Sequence, residues 1–274
     1  IGGEGTLGII TAATLKLFPR PREVETAFLG LSRVENAMTL FARARMASGD
    51  QLTAFELIPR IGLEIAVAHM PGVQDPLAAA HDWYVLLEMS SSQAESGLKS
   101  ALETFLAAAM EEGLVADGTI AASAAQARDL WRIREGVVEA QPKLGASIKH
   151  DVSVPVSRVA EFINRATAAV DARIPGIRPV AFGHVGDGNI HCNSSLPVGA
   201  DEAAFLARWD EVNHIVHDIC TGFGGSISAE HGIGLLKRDE LTHYKPAVAL
   251  SLMHRIKTAL DPDGIMNPGK LLAP

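Results

Sequence analysis

The stretch Gly183-His184-Val185-Gly186-Asp187-Gly188-Asn189-Ile190-His191-Cys192-Asn193 constrains the fold more than any other in this 274-residue chain. Asp-Gly between β-forming residues is a strong signal for a two-residue type I′ hairpin turn. With Asp187 and Gly188 in that turn, Gly186 faces Asn189, Val185 faces Ile190 and His184 faces His191. The two histidines then form a cross-strand pair on one face, their Cβ atoms about 5 Å apart. Asn193 shares that face because strand side chains alternate with period two. Two imidazoles so placed can share one metal ion through Zn–N bonds of about 2.0–2.1 Å. The alternative is a hairpin whose histidines pack against neighbours or meet solvent.

Composition narrows what surrounds this hairpin. Hydrophobic residues make up 47% of the chain and charged residues 20%, an ordinary globular balance. The length allows one large or two modest domains. A net charge of -8 argues against a nucleic-acid surface, which needs clustered Lys and Arg. No apolar run approaches the roughly 18 residues of a membrane span; the Ala- and Leu-rich segment at Phe105–Met110 is cut at once by Glu111 and Glu112. Two cysteines, Cys192 and Cys220, make no disulfide framework and point to a reducing interior. No secretory or transit pattern opens the chain, which begins at Ile1 as if in mid-fold.

Gly3-Glu4-Gly5-Thr6-Leu7-Gly8 formally matches the dinucleotide-binding G-x-G-x-x-G pattern. That reading requires a strand before and a helix after. Here no strand precedes, and Ile9–Phe18 reads as a strand, so the reading fails. A Gly-rich loop can still lay its backbone N–H groups along a phosphate. Pro19 and Pro21 mark a boundary.

Beyond it, short apolar strands alternate with amphipathic helices. Strands are expected at 26–32, 51–58 and 83–90, and helices at 34–47, 60–70, 93–113, from 122 onward, and at 156–174. Residues 203–223 read as one continuous periodic helix. The pattern suggests an α+β fold, a ferredoxin-like-type antiparallel sheet with helices packed on one face, plus a C-terminal helical segment.

Further residues combine charge with apolar context. Glu230 and His231, bracketed by glycines, are poorly explained as a solvated loop. Glu230 either completes a two-His, one-carboxylate set with open positions for substrate or caps a helix starting near Ile233, with His231 in water. Arg134 shares a helical face with Leu130 and is either a carboxylate clamp or a snorkelling surface residue. Lys149, Asp151 and Ser153 lie on one strand face, a segment that reads as structural. His214 and His217, at i and i+3, are expected on a solvated helical face.

Taken in order, Gly5-Thr6-Leu7-Gly8-Ile9-Ile10-Thr11, Arg134-Glu135, Lys149-His150-Asp151-Val152-Ser153, the histidine hairpin, Ala229-Glu230-His231-Gly232 and Asn267-Pro268-Gly269-Lys270 resemble the C-terminal half of FAD-linked oxidases of the vanillyl-alcohol-oxidase superfamily. Within it the resemblance is to D-2-hydroxyacid dehydrogenases, the group of D-2-hydroxyglutarate dehydrogenase, D-lactate dehydrogenase and the glycolate oxidase flavin subunit. The resemblance implies that residues 1–20 are the last loop and strand of an FAD-binding domain, 21–240 a substrate-binding cap domain, and 241–274 a helical segment returning to the flavin domain. On that reading the chain is a fragment, inactive alone.

It also implies roles, residue by residue. His184, His191 and Glu230 match metal ligands, usually for zinc. Arg134 and Lys149 match residues that hold the substrate carboxylate, with Asn193 as a nearby polar contact. His231 matches the general base. Gly5, Thr6, Gly8 and Ile10 match an FAD-binding tail, and Asn267 lies in a segment approaching the flavin. The implied reaction is FAD-dependent oxidation of a D-2-hydroxy acid to the 2-oxo acid. Electrons pass to a separate acceptor, a quinone, a cytochrome or an electron-transfer flavoprotein. A homodimer and a cytoplasmic place, free or peripheral at the inner face of the membrane, accord with the resemblance. A flavin-free metal- and carboxylate-binding module is the competing reading, and metal-assisted hydrolysis a third.

Overall fold

The computed structural model describes residues 2–49 and 51–273; Ile1, Asp50 and Pro274 lie outside the described residues. Residue contacts divide the chain into two units, one of residues 19–226 and one combining the first 18 residues with 227–274.

In the larger unit the strands β1 (Glu23–Leu31), β2 (Leu52–Pro59), β3 (Trp83–Ser91) and β4 (Asp117–Ile120) alternate with helices α1 (Val34–Ser48), α2 (Arg60–His69) and α3 (Leu98–Glu111). Their spatial order β4-β1-β3-β2, all antiparallel, is the ferredoxin-like arrangement. Helix α2 is an insertion between β2 and β3. After α4 (Ala124–Ala140) come the short strands β5 (Ser147–Ile148) and β6 (Asp151–Ser153), helix α5 (Val159–Arg173), strands β7 (Arg178–His184) and β8 (Asn189–Ser195), and helices α6 (Glu202–Leu206) and α7 (Trp209–Gly222). Strand β7 joins the edge of β2, and β8 pairs with β7 on one side and with both β5 and β6 on the other, giving an eight-stranded sheet.

The α+β class and antiparallel sheet are those the sequence implies, but the single helical layer becomes two. On β1, Ala27, Leu29 and Leu31 join one apolar core with α1, α3, α5 and α7. Phe28, from the opposite face, joins a second core with residues of α2 and α4. The physical reason is that these strands are not half-polar: both faces carry large apolar side chains, and each must be covered. Phe28 and Tyr84 stack with ring centroids 5.4 Å apart inside the second core.

Two more expectations are corrected. The periodic stretch 203–223 is not one helix: it breaks between α6 and α7, where Arg208 precedes Trp209 and donates through Nε to Glu211 Oε2 at 2.8 Å and through Nη1 to Arg173 O at 2.8 Å. His217 is not on a solvated face but buried, its ring edge-on to His150 at 5.3 Å. Neither Cys192 nor Cys220 is in a disulfide, and burial pushes the Cys192 thiol up to about 12, with nearby Cys220 adding to it.

The smaller unit contains helices α8 (Arg238–Tyr244) and α9 (Ala247–Leu260). Residues 9–18, expected as a strand, form no regular element; a strand needs a ladder partner for its N–H and C=O groups. Among the described residues, no helix is long and apolar enough to cross a membrane.

Candidate functional site

The site is built on the sheet face covered by α2 and α4. Helix α4 starts with Ser123, whose Oγ accepts from Gln126 N at 3.3 Å while Gln126 Oε1 accepts from Ala122 N at 2.7 Å, a reciprocal cap. Leu130, Ile133 and Val137 then bury one stripe of the helix. At Gly136 the helices pack closely, since a Cβ there would lie 3.3 Å from Ala66 Cβ on α2 and 3.0 Å from Cγ of Met70, just after it. This docking carries Arg134 inward, 7% exposed. The choice left open between clamp and snorkelling residue is settled against the surface.

Arg134 Nε donates to Glu56 Oε2 at 2.8 Å, and its guanidinium lies 4.8 Å from the centre of the Phe182 ring. The ion pair uses Nε, so the Nη edge of the fork stays available to a second carboxylate. Glu56 is the only charged residue in β2, and it stands directly across from His184 of β7. Its other oxygen, Oε1, is 2.7 Å from His184 Nδ1. Burial pushes the Glu56 carboxyl up, but the His184 hydrogen bond and the Arg134 charge outweigh it and hold the group below the usual carboxylate range. A buried carboxylate is costly unless paired and hydrogen-bonded; here both oxygens are used.

The hairpin differs from its expected register. The loop is not a two-residue turn: Val185–Asp187 form a 3-10 turn and Gly188 N donates to Val185 O at 3.1 Å. His191 therefore pairs with Phe182 instead of His184. The tertiary partners decide this. Gly188 O accepts from Val154 N at 3.1 Å, which holds the longer turn in place, while Gly183 and His184 pair with β2 on the other edge of β7. The slip is by two residues, so the facing side chains keep their face. His184 and His191 remain neighbours, ring centroids 6.3 Å apart.

His191 lies against Phe182, ring centroids 4.9 Å apart, and its Nδ1 is 3.9 Å from Asp151 Oδ1. Asp151 is 3% exposed, faces His191 across β6 and β8, and accepts from Asn189 Nδ2 at 2.8 Å. Asn193 is buried, with Nδ2 donating to Gln141 Oε1 at 2.8 Å and Oδ1 accepting from His150 N at 3.2 Å. It thus holds the segment that carries Lys149, which is itself exposed.

Glu230, His231, the glycine loop and Asn267 belong to the smaller unit. Glu230 and His231 are exposed, and the loop after them is pinned by Glu4, whose carboxylate accepts from Ile233 N and Gly234 N, both at 2.7 Å. Asn267 Nδ2 donates to Glu4 O at 2.6 Å. Thr6 is 2% exposed, its hydroxyl bonded to Gly3 O at 2.6 Å, while Gly5, Gly8 and Ile10 are exposed. Two stretches assigned by resemblance to one cofactor, Gly5–Ile10 and Asn267, are thus joined within one unit. Lys257 ties them further: Nζ donates to Thr6 O at 2.7 Å, to Met266 O at 2.8 Å and to the Asp261 carboxylate.

This clasp carries a pH prediction. The Lys257 hydrogen bond, with those from Met266 and Ile265 N–H, holds the Asp261 carboxyl below its usual 3.8. A carboxyl with a depressed folded value contributes stability above its unfolded pKa and loses it as pH falls through the folded value. Protection of the Ile265 and Met266 amides, as exchange relative to the free-chain rate at the same pH, is therefore expected to be high at neutral pH and to be lost as pH falls through the depressed Asp261 value, below 3.8. Asp261→Asn should show low protection at both amides at every pH. Equal protection in wild type and variant at neutral pH would refute the clasp.

Residues absent from the sequence-derived set are Glu56, Asp151 as the partner of His191, and Gln141. A lone carboxylate in an otherwise uncharged, mostly apolar strand was the available signal for Glu56.

Residues 20–271 match the family described as FAD linked oxidases, C-terminal domain. The chain is 40% identical over 273 residues to D-2-hydroxyglutarate dehydrogenase of Xanthomonas citri pv. viticola, covering 99% of this chain and 56% of that protein. It is 36% identical over 274 residues to mitochondrial D-2-hydroxyglutarate dehydrogenase of Arabidopsis thaliana, covering 99% and 47%. It spans about half the length of the curated relatives it matches. Among solved structures, p-cresol methylhydroxylase with substrate bound is similar at TM-score 0.60 and 12% identity, covering 93% of this chain and 54% of that one. A 4-ethylphenol oxidase from Gulosibacter chungangensis, in its isoeugenol complex, gives TM-score 0.58 and 16% identity, covering 94% and 55%. At such identities the likeness is of fold alone.

Proposed function

We propose, from the premise that this chain belongs to the family of C-terminal domains of FAD-linked oxidases, that its parent protein oxidises a D-2-hydroxy acid to the 2-oxo acid. D-2-hydroxyglutarate is the foremost substrate, as the names of the curated relatives suggest; D-lactate and glycolate are the alternatives. The observation that carries the reading is Glu56, bonded at once to Arg134 and His184. A guanidinium and an imidazole held by one carboxylate on one sheet face would suit a carboxylate with a hydroxyl on the adjacent carbon, which supports the reading.

Both implied groups fit the residues present. A metal-ligating histidine commonly has its other ring nitrogen held by a carboxylate, as His184 Nδ1 is by Glu56. The glycine loop and Asn267 are joined as one cofactor's contacts require. When bound, FAD supplies the hydride acceptor and a divalent metal, zinc by resemblance, supplies a Lewis acid for the substrate hydroxyl.

In this proposal His184, His191 and Glu230 hold the metal. The Arg134 fork and Lys149 fix the substrate carboxylate and so select the face of C2 presented to the flavin. Asn193 contributes by holding the Lys149 segment. His231 accepts the hydroxyl proton, a role suited to an imidazole near neutral pH. Gly5, Thr6, Gly8, Ile10 and Asn267 contact the flavin. Residues 21–240 act as the cap domain, with 1–20 and 241–274 serving the flavin domain. Electrons leave to a quinone, a cytochrome or an electron-transfer flavoprotein.

The test is made on the full-length protein. Flavin absorbance, D-2-hydroxyglutarate-dependent dye reduction and bound metal are expected in the wild type, with both turnover and metal lost in His184→Ala. Undiminished turnover in that variant sinks the metal role. A full-length protein without flavin absorbance would favour the binding-module reading.

A further inference from the structure

We propose that Glu56 is a positioning residue that sets the distance and orientation between the anion-holding guanidinium of Arg134 and the metal-holding imidazole of His184. This rests on the proposed function above and adds to it a residue with no part in substrate or metal contact.

Three observations carry it. First, Glu56 is 3% exposed and lies at the centre of the sheet, flanked by Leu86 on β3 and His184 on β7. Nothing about that position favours a charge except its partners. Second, its two oxygens divide the work, Oε2 accepting from Arg134 Nε at 2.8 Å and Oε1 meeting His184 Nδ1 at 2.7 Å. Arginine can only donate, so the carboxylate is an acceptor here, and the Glu56 side of His184 is then the N–H side. That assigns Nδ1 the proton, so the nitrogen through which a neutral His184 can ligate is Nε2. Third, the partners come from different elements, α4 and the last residue of β7. The guanidinium also packs over Phe182 of β7, but the Glu56 bridge is the polar contact that joins it to the imidazole itself. A 2-hydroxy acid carries its two polar groups on adjacent carbons, so this spacing is what the substrate reads.

Glu88 supplies the control. It is a carboxylate on the same sheet, accepting from Trp131 Nε1 of α4 at 2.9 Å and from Thr26 Oγ1 at 3.2 Å, without contact to His184. Glu88→Gln removes a helix-docking carboxylate and leaves the bridge intact.

The experiment measures Zn²⁺ affinity of the full-length protein by competition with a chromophoric chelator, after metal removal, for wild type, Glu56→Gln, Glu56→Asp and Glu88→Gln. Loss of such an outer partner typically weakens metal binding about 10–100-fold, and that loss is expected for Glu56→Gln with Glu88→Gln unchanged. Glu56→Asp keeps the charge but is one methylene too short to reach both partners, and is expected to weaken Zn²⁺ as well. It decides the matter if Glu56→Gln does not fold. In steady state the spacing role predicts a raised KM for D-2-hydroxyglutarate together with a lowered kcat. Wild-type Zn²⁺ affinity in both Glu56 variants overturns the positioning role while leaving the metal site standing. A wild-type protein that binds no Zn²⁺ overturns the site reading and this proposal with it.

Discussion

Arg134→Ala is expected to lower the stability of the fold by about 3 kcal/mol, read from the shift in denaturation midpoint at unchanged slope. The reason is not the lost attraction alone. Removing the guanidinium leaves Glu56, 3% exposed, as a buried carboxylate with one oxygen unmet. Breaking a buried pair from one side costs about 3–5 kcal/mol because the orphaned charge keeps its desolvation penalty. The low end applies because His184 still bonds the other oxygen. Loss of the contact over Phe182, 4.8 Å from the guanidinium, adds to the effect. The double variant Arg134→Met with Glu56→Gln should recover most of the loss, since a neutral pair avoids the orphaned charge. Turnover should recover in neither, because the anion-holding fork is gone. A loss below about 1 kcal/mol in Arg134→Ala would show that the pair is a surface-like contact.

Gly188→Ala is expected to be comparably damaging, at about 2–5 kcal/mol, for a backbone reason. Gly188 has φ +80°, and a Cβ there would stand 2.0 Å from Val154 O. A left-handed conformation costs a non-glycine residue about 1–2 kcal/mol, and forcing an extra carbon into a packed site about 1–3 kcal/mol more. The obstructing atom is main chain, so no rotamer change relieves it. Val154 N donates to Gly188 O at 3.1 Å, so the clash prises β6 from β8. Asp151 then leaves His191, and metal affinity should fall with stability. Gly186→Ala, in the same loop, is the comparison. Its Cβ would meet only Phe41 ring carbons at 3.7 Å, an ordinary contact, and a change within about 0.5 kcal/mol is expected. Equal stability of the two variants would refute the close approach at Gly188.

Local patterning made much of this legible. The helix of Arg134 and its shared face with Leu130 follow from helical spacing. His184 and His191 share a sheet face because side-chain direction depends only on even or odd position, which survives a two-residue slip. Glu56 was not legible as a site residue because its partners are 78 and 128 residues away in the chain. Nor was Asp151, whose meaning depends on β6 lying against β8.

What the sequence alone determined were most elements of the larger unit, the shared face of His184 and His191, and the family, since periodicity and motif chemistry are local properties. What only the tertiary structure decided were the hairpin register, the second helical layer and the Glu56 bridge. Each of these depends on which distant segments the fold brings together, and that is not a local property of the chain. Strand β2 pairs with Gly183 and His184 on the edge of β7 away from β8, which brings His184 to Glu56, while the 3-10 turn at Val185–Asp187 sets His191 opposite Phe182.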